Sequence, residues 1–244
     1  MKALTSFDGV RRSELVAVVR GVGKSFDECL TWSLKEVTFG VRRGEVFGLA
    51  GPSGSGKTAL LKLLAGHLRP TEGKVKVFGS SPRRGAKKSR IGYLPQTSGP
   101  NNHANSGGVL DWVGGLFRRT ETRQNPAAAE SRDKTRWRGE LAQTIYGKRD
   151  LVILDEPFSN LEPSERGELK NLIETLAQQG KTVILSSSSL EDVLGVCQRI
   201  AVLNGGRMEI LGTLDELQAS PEAVRALAPI LPEPVAQKLQ GIVR

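Results

Sequence analysis

The sequence is poor in the residues from which disulfides and metal centres are built. Among 244 residues there are two cysteines, Cys29 and Cys197, and two histidines, His67 and His103, all far apart. This spacing excludes a C-x-x-C motif and argues against a histidine-rich metal site, so the cysteines are expected to be reduced core residues. Apolar runs are short as well, and none approaches the roughly 20 residues that span a bilayer.

The positive charge is concentrated in one segment. The formal net charge is +9, and residues 83–149 contain fourteen lysines and arginines against five acidic residues. Such a segment is either a solvated face or a contact surface for an acidic protein, anionic lipid or nucleic acid. Its only tryptophans are Trp112 and Trp137, which makes it a poor platform for stacking on bases. No specific nucleic acid is therefore expected as a partner.

Three short apolar runs have the composition of buried parallel strands: Val46–Ala50, Leu151–Leu154 and Thr182–Leu185. Residues 58–65 follow the first run and residues 163–179 follow the second, both with leucines at helical spacing. Strands that alternate with helices in this way predict a doubly wound parallel sheet in an α/β fold.

Other segments have the alternation of half-exposed antiparallel strands. The pattern is clear at Lys74–Phe78 and weaker at Ala201–Leu203 and Arg207–Ile210, on either side of the turn Asn204–Gly206. We therefore expect an antiparallel β subdomain beside the parallel sheet.

The apolar pattern thins between the two halves of the predicted core. Residues 15–96 and 150–217 are expected to form that core, with a short, basic, partly helical lobe inserted at 97–149 and a helical tail at 218–244. In this interpretation all of them are parts of a single domain, 1–244.

A phosphate-binding motif lies between the first predicted strand and its helix. The segment fits the pattern G-x-x-x-x-G-K-[ST], in the strand–loop–helix context that the motif requires. Its glycines allow backbone conformations that a Cβ would obstruct, so that successive N–H groups can converge on phosphate oxygens. Lys57 would reach the β- and γ-phosphates, and the Thr58 hydroxyl would ligate Mg²⁺. The predicted ligand is ATP with Mg²⁺, and the predicted binding residues are Gly51, Pro52, Ser53, Gly54, Ser55, Gly56, Lys57 and Thr58.

Two carboxylates, Asp155 and Glu156, directly follow the predicted strand Leu151–Leu154. In a parallel sheet they would lie at the carboxyl edge, beside the phosphate loop. Asp155 is suited to hold Mg²⁺ through its water shell, and Glu156 is suited to orient and activate an attacking water molecule. Together with the loop, these residues predict an ATPase-type site.

Over residues 15–217 the sequence resembles the nucleotide-binding subunit of an ATP-binding cassette (ABC) transporter, which has a P-loop nucleoside triphosphatase core. Tyr93–Gln96 is similar to the family's Q-loop, and Phe158–Glu162 is similar to its D-loop, with glutamate in place of the usual aspartate. Phe26 matches the aromatic position that stacks on adenine. The resemblance implies that Gln96 contacts Mg²⁺ and the γ-phosphate.

The pattern is closest to the cassettes of bacterial exporters. The resemblance implies an ATP-binding subunit, peripheral on the cytoplasmic face of the cell membrane, that couples ATP binding and hydrolysis to a separate permease. It also implies a dimer, either a homodimer or a heterodimer with another ABC cassette. A regulatory subunit that does not hydrolyse ATP is an alternative, and a nucleic-acid- or ribosome-associated ABC protein is the alternative from another class.

Two departures from the family pattern bear on hydrolysis. The family's signature, Leu-Ser-Gly-Gly-Gln, falls at Ser131–Thr135, which does not match it, and the family's switch histidine falls at Ser188. The resemblance therefore implies a subunit that binds ATP but whose hydrolysis is impaired or depends on a partner subunit.

Overall fold

The computed structural model describes residues 14–27, 31–83, 89–96, 139–159 and 161–218. Several predictions concern residues outside these ranges, namely those for Cys29, His103, Trp112, Trp137, the signature position Ser131–Thr135, most of the inserted lobe and nearly all of the tail. Within the described ranges, no helix is long and apolar enough to cross a membrane.

Within the described ranges, one sheet is antiparallel and has three strands. β1 (Leu15–Ser25) lies between β2 (Trp32–Arg42) and a later strand, β4 (Glu72–Val77). β4 covers most of the predicted strand Lys74–Phe78 and alternates as expected, with its two valines buried. The sequence pattern does not reveal β1 and β2, because bulges shift the register between them and interrupt the alternation of buried and exposed residues.

The second sheet has six strands among the described residues and forms the centre of the part of the fold that they make up. Its order is β5 (Ile91–Leu94), β6 (Leu151–Leu154), β7 (Thr182–Ser187), β3 (Val46–Ala50), β8 (Arg199–Asn204) and β9 (Arg207–Thr213). Neighbouring strands are parallel except β8 and β9, which form an antiparallel hairpin. The three predicted buried strands are thus confirmed as β3, β6 and β7.

One strand differs from its prediction. Ala201–Leu203 belongs to β8, which pairs antiparallel with β9 as expected but is buried at every position except the last, rather than half-exposed. β8 lies between β3 and β9 and pairs parallel with β3. Ile200 and Val202 join one buried cluster, whereas Ala201 and Leu203 join the other. A strand that is covered on both faces has no polar side to show in its sequence.

Helices follow the strands as the alternation predicts. α1 (Lys57–Leu64) follows β3, and α2 (Pro163–Gln178) follows β6. Two short helices come later, α3 (Leu190–Leu194) after β7 and α4 (Leu214–Gln218) after β9. Residues 139–145 are also helical.

The core has two apolar layers, one on each face of the parallel sheet. The first joins the two sheets and α1, and it contains the stacked rings of Phe39 and Phe47, whose centroids are 5.2 Å apart. The second contains the buried side of α2, including Leu169, Leu172 and Ile173. Both faces of β3 and β6 are therefore buried, and the polar residues of these segments follow at their carboxyl ends.

Two charged side chains are buried beside this core. Glu45 precedes β3 and Arg199 begins β8, and their side chains are 9% and 6% exposed. Arg199 Nη1 lies 3.2 Å from Glu45 Oε1 and donates to the carbonyl oxygen of Gly40 at 3.2 Å. Burial raises the pKa of Glu45, while the backbone N–H of Arg42 and the Arg199 charge partly oppose this rise. Arg199 therefore compensates a carboxylate that has little contact with water.

Arg199→Met should destabilise the protein by about 3–5 kcal/mol, because it leaves the Glu45 carboxylate buried without its cation. The free energy of unfolding, measured by urea titration, checks this expectation. Arg207→Met is the matched control, because Arg207 lies 3.8 Å from Glu36 and both side chains are exposed. The control should lose less than about 1 kcal/mol, and equal losses in the two variants would contradict the role given to Arg199.

Candidate nucleotide-binding site

The phosphate loop predicted from the sequence connects β3 to α1. Gly51, Gly54 and Gly56 have positive φ angles of 154°, 78° and 103°. At Gly56 a Cβ atom would lie 2.4 Å from the carbonyl oxygen of Ser33, so only glycine fits this position. Gly56 is also the N-cap of α1. The unpaired N–H groups of the first helical turn, from Lys57 onward, therefore follow directly after the loop.

The middle of the loop is exposed, whereas the residues on either side of it are buried. Ser53 and Gly54 are exposed, whereas Gly51 and Ser55 are buried. The N–H of Ser55 donates to the carbonyl oxygen of Pro52 at 3.2 Å, which closes a turn around the exposed residues. This arrangement leaves the mid-loop backbone accessible to an anion.

Lys57 is buried although it carries a charge, with a side chain that is 5% exposed. Its Nζ atom lies 2.7 Å from the carbonyl oxygen of Gly51, 3.0 Å from that of Pro52 and 3.2 Å from Glu156 Oε1. These contacts match the three donors of the ammonium group. The side chain therefore folds back over the loop and places a positive charge against its backbone.

Asp155 is 1% exposed and is surrounded by hydroxyl groups. Its Oδ1 atom accepts hydrogen bonds from Ser186 Oγ at 2.8 Å and Thr58 Oγ1 at 3.1 Å, and its Oδ2 atom accepts one from the Tyr93 hydroxyl at 3.3 Å. Burial, reinforced by the charge of Asp155, raises the pKa of Tyr93 and so favours the protonated hydroxyl that donates to this carboxylate. Donors on both oxygens hold the carboxylate in one orientation.

Glu156 follows in a left-handed conformation, with φ of 49°. Its N–H donates to Ser186 Oγ at 2.9 Å. Its Oε1 atom contacts Lys57, and its Oε2 atom accepts from the backbone N–H of Ser188 at 3.0 Å and from the Ser188 hydroxyl at 3.4 Å. The segment after β7 thus holds the side chain that the sequence predicts as the group activating water.

Gln96 and Phe26 lie outside this set of contacts within the described part of the chain. Gln96 is exposed and follows β5 by two residues. Phe26 follows β1 and is 63% exposed, with Lys24 Nζ 4.8 Å from the centroid of its ring. Among the predicted side chains, Lys57 contacts Glu156 and Thr58 contacts Asp155.

Ser186 and Tyr93 also belong to the site, although the sequence reasoning did not assign them to it. Ser186 lies at the end of β7, which pairs with β6. Because parallel strands end at the same edge, a polar residue there lies next to Asp155. The strand order would therefore have indicated Ser186, whereas no sequence signal marks the hydroxyl of Tyr93.

The oxygens beside the loop suit a hard divalent cation. Thr58 Oγ1 and Asp155 Oδ1 are 3.1 Å apart. The described residues hold no cluster of three or more histidine, cysteine, aspartate or glutamate side chains suited to a metal. Mg²⁺ in nucleotide sites takes one or two protein ligands and completes its shell with phosphates and water. The donor set thus fits a cation that arrives together with a phosphate ligand.

These features define a class of protein. An α/β fold with a glycine-rich loop between a central strand and a helix, and with an acidic strand end beside it, is that of the P-loop nucleotide-binding proteins. Residues 34–159 match the family model described as ABC transporter. The chain belongs to the family of ABC transporter ATP-binding proteins, whose members bind ATP.

Two relatives illustrate the match. The chain is 34% identical to an uncharacterized ABC transporter ATP-binding protein of Synechocystis sp.. The aligned region covers 78% of this chain and 59% of the Synechocystis protein. It is 31% identical to an uncharacterized ABC transporter ATP-binding protein of Methanocaldococcus jannaschii, over 75% of this chain and 73% of that protein. The chain therefore corresponds to only part of the Synechocystis protein.

The fold is also that of a solved cassette. The chain has a TM-score of 0.60 and 20% identity to a dimeric ATP-binding cassette in a post-hydrolysis state, bound to ADP and Pi. The similarity covers 81% of this chain and 98% of that one, and at this identity it establishes the fold alone. The predicted α/β class, with a parallel sheet, an antiparallel sheet and a phosphate loop, is confirmed.

Ser186→Ala should cost about 1–3 kcal/mol of stability, because it removes a donor from buried Asp155 and an acceptor from the Glu156 amide. Ser189→Ala is the matched control in the same serine run, where the backbone N–H rather than the side chain makes the described contact. The control should change stability by less than about 0.5 kcal/mol. Chemical denaturation of both variants measures the difference, and a Ser186→Ala variant as stable as the control would refute the expectation.

Proposed function

We propose that this chain is the ATP-binding subunit of an ABC transporter, which binds MgATP at the loop Gly51–Thr58 and drives a separate membrane permease. The observation that carries the proposal is the contact set at the carboxyl ends of β3, β6 and β7, in which Lys57, Glu156, Asp155 and Thr58 meet. This is the arrangement in which P-loop proteins hold phosphates, a magnesium ion and an attacking water molecule.

The loop and Lys57 would hold the phosphates. The glycines leave backbone N–H groups available, and the first turn of α1 adds its own. Lys57 Nζ lies against neutral carbonyl oxygens of the loop, and a charged phosphate is a stronger acceptor than these. Thr58 and Asp155 would hold Mg²⁺, which neutralises charge on the β- and γ-phosphates. Phe26, exposed at the end of β1, would stack on the adenine ring.

Hydrolysis requires more than this contact set. Glu156 would orient the attacking water, and Gln96 would contact Mg²⁺ and the γ-phosphate. The Glu156 carboxylate is shared between Lys57 and Ser188, and Ser188 stands where the family has its switch histidine. Because the serine side chain is shorter than histidine, it would not make the same contact with the γ-phosphate. The isolated chain would therefore hydrolyse ATP weakly.

A second chain would complete the site. In this family the signature of one subunit closes over the nucleotide of the other, and Ser131–Thr135 does not match that signature. A homodimer would lack a matching signature at both sites, whereas another ABC cassette would supply one to the ATP on this chain. The dimer seen for a cassette of the same fold supports such pairing. The complex would lie at the cytoplasmic face of the membrane, bound to its permease.

Lys57→Ala should weaken MgATP binding by at least about tenfold, because it removes a charge-assisted contact with the phosphates. Lys62→Ala is the matched control, because Lys62 lies in the last turn of the same helix. Calorimetric titration with MgATP measures the dissociation constants. The site assignment would be wrong if Lys57→Ala bound MgATP as tightly as Lys62→Ala.

Glu156→Gln should lower the slow turnover of the isolated chain by less than about 10²-fold. A fully effective general base contributes at least that factor, and in this chain Glu156 acts without the other groups that hydrolysis requires. Phosphate release from MgATP measures the rate, with Glu174→Gln, an exposed glutamate of α2, as the control. Rapid turnover of the parent chain, abolished by Glu156→Gln alone, would contradict the proposed weakness of hydrolysis.

A further inference from the structure

The turn between β8 and β9 contacts the phosphate loop through backbone atoms. The N–H of Gly206 donates to the carbonyl oxygen of Ser55 at 3.2 Å. Near the other end of the loop, a Cβ on Gly51 would lie 2.1 Å from the carbonyl oxygen of Leu203. The hairpin therefore packs against both buried ends of the loop.

The same turn contacts the antiparallel sheet. The carbonyl oxygen of Gly206 accepts a hydrogen bond from the N–H of Lys35, on β2, at 2.8 Å. A Cβ on Gly206 would lie 2.8 Å from the carbonyl oxygen of Ser33. That oxygen is also the atom that a Cβ on Gly56 would meet, at 2.4 Å. The Ser33 carbonyl is thus packed between a glycine of the turn and a glycine of the loop.

Gly206 therefore joins three segments through backbone atoms. Its N–H bonds to the loop, its carbonyl oxygen bonds to β2, and its lack of a side chain leaves room for Ser33. Its φ of 79° also favours glycine. The Ser55 side chain adds nothing comparable, since its hydroxyl is buried and has no hydrogen-bond partner within the described residues. The position of the Ser55–Gly56 backbone thus depends on these backbone contacts.

We propose that Gly206 is a positioning residue for the nucleotide, which fixes the Ser55–Gly56 end of the phosphate loop against β2. The inference rests on the proposed function, because it assumes that this loop binds MgATP. A side chain at position 206 would press on Ser33 and displace the Ser55 carbonyl group to which Gly206 is bonded. The loop would then lose its preorganised shape, and binding would have to restore it.

Gly206→Ala tests the proposal, with Gly205→Ala as the matched control. Gly205 is the neighbouring turn residue and also has a positive φ, of 52°, but a Cβ there would meet no atom within 4 Å. Both variants place an alanine in the left-handed region, so their difference reports the contact with Ser33. The dissociation constant of MgATP should rise about tenfold in Gly206→Ala, the scale of one lost hydrogen bond, and stay within about twofold of the parent in Gly205→Ala.

Two measurements separate positioning from a general loss of stability. Titrations are made at a temperature at which circular dichroism shows both variants to be folded, where a change in stability alone leaves the dissociation constant unaltered. Magnesium tripolyphosphate is titrated beside MgATP, and both ligands should weaken by a similar factor because the displaced group belongs to the loop. Equal MgATP affinity in the two variants, or a loss confined to MgATP, would overturn the inference. A parent chain that does not bind MgATP would instead refute the proposed function, and this inference with it.

Hydrogen exchange in the parent chain tests the same contact without a substitution, and it serves if Gly206→Ala does not fold. Addition of MgATP should slow exchange of the amides at residues 203–207. Phosphate binding would restrict the motion of the loop, and the Ser55 carbonyl oxygen in that loop accepts the hydrogen bond from the N–H of Gly206. The turn at residues 43–44, at the amino end of β3, is the reference and should not change. If MgATP did not change the exchange rates of the amides at residues 203–207, the proposal would be overturned.

Discussion

Close packing of backbone against backbone holds the phosphate loop, and the rest of the site depends on it. Gly51 and Gly56 each have a carbonyl oxygen from another segment in the space that a Cβ would take. Leu203 belongs to β8, the neighbour of β3 in the parallel sheet, whereas Ser33 belongs to β2 of the antiparallel sheet, so both sheets contact the loop. With the loop held in this way, α1 begins at a defined point, and Lys57 and Thr58 in its first turn reach Glu156 and Asp155.

The same packing creates an electrostatic requirement. Lys57, Asp155 and Glu156 are largely removed from water, and an unpaired charge in such a place costs several kcal/mol. The protein meets this cost with partners that a ligand could replace: carbonyl oxygens on Lys57 and the Thr58 hydroxyl on Asp155. In the proposed function a phosphate would take the place of the first and a cation would bridge the second. Lys57 would have a negatively charged partner in both states, Glu156 without ligand and the phosphate with it.

Local sequence patterns predict those segments in which consecutive residues share the same degree of burial or form one contiguous motif. β3, β6 and the Val183–Leu185 part of β7 are buried and apolar, and the phosphate loop is a contiguous motif. Bulges interrupt the alternation of β1 and β2, and β8 differs from its prediction because apolar clusters cover both of its faces. The contacts of Asp155 with Ser186 and Tyr93 join residues that are 31 and 62 positions apart. Short-range patterns contain no strand order, so they cannot bring such residues together.

Binding and hydrolysis draw on different parts of this chain. The contacts proposed for binding are made by the loop, α1 and Asp155, all within one chain. Hydrolysis would need groups that approach the γ-phosphate from outside, at Ser188 and from the signature of a second subunit. The backbone N–H of Ser188 holds Glu156 at 3.0 Å, and a histidine at this position would offer the same N–H. Ser188 therefore still orients Glu156 through its backbone, but its side chain is too short to make the contact that a histidine would make with the γ-phosphate. ATP binding would then rest on this chain's own residues, while the rate of turnover would depend on what the other chain supplies.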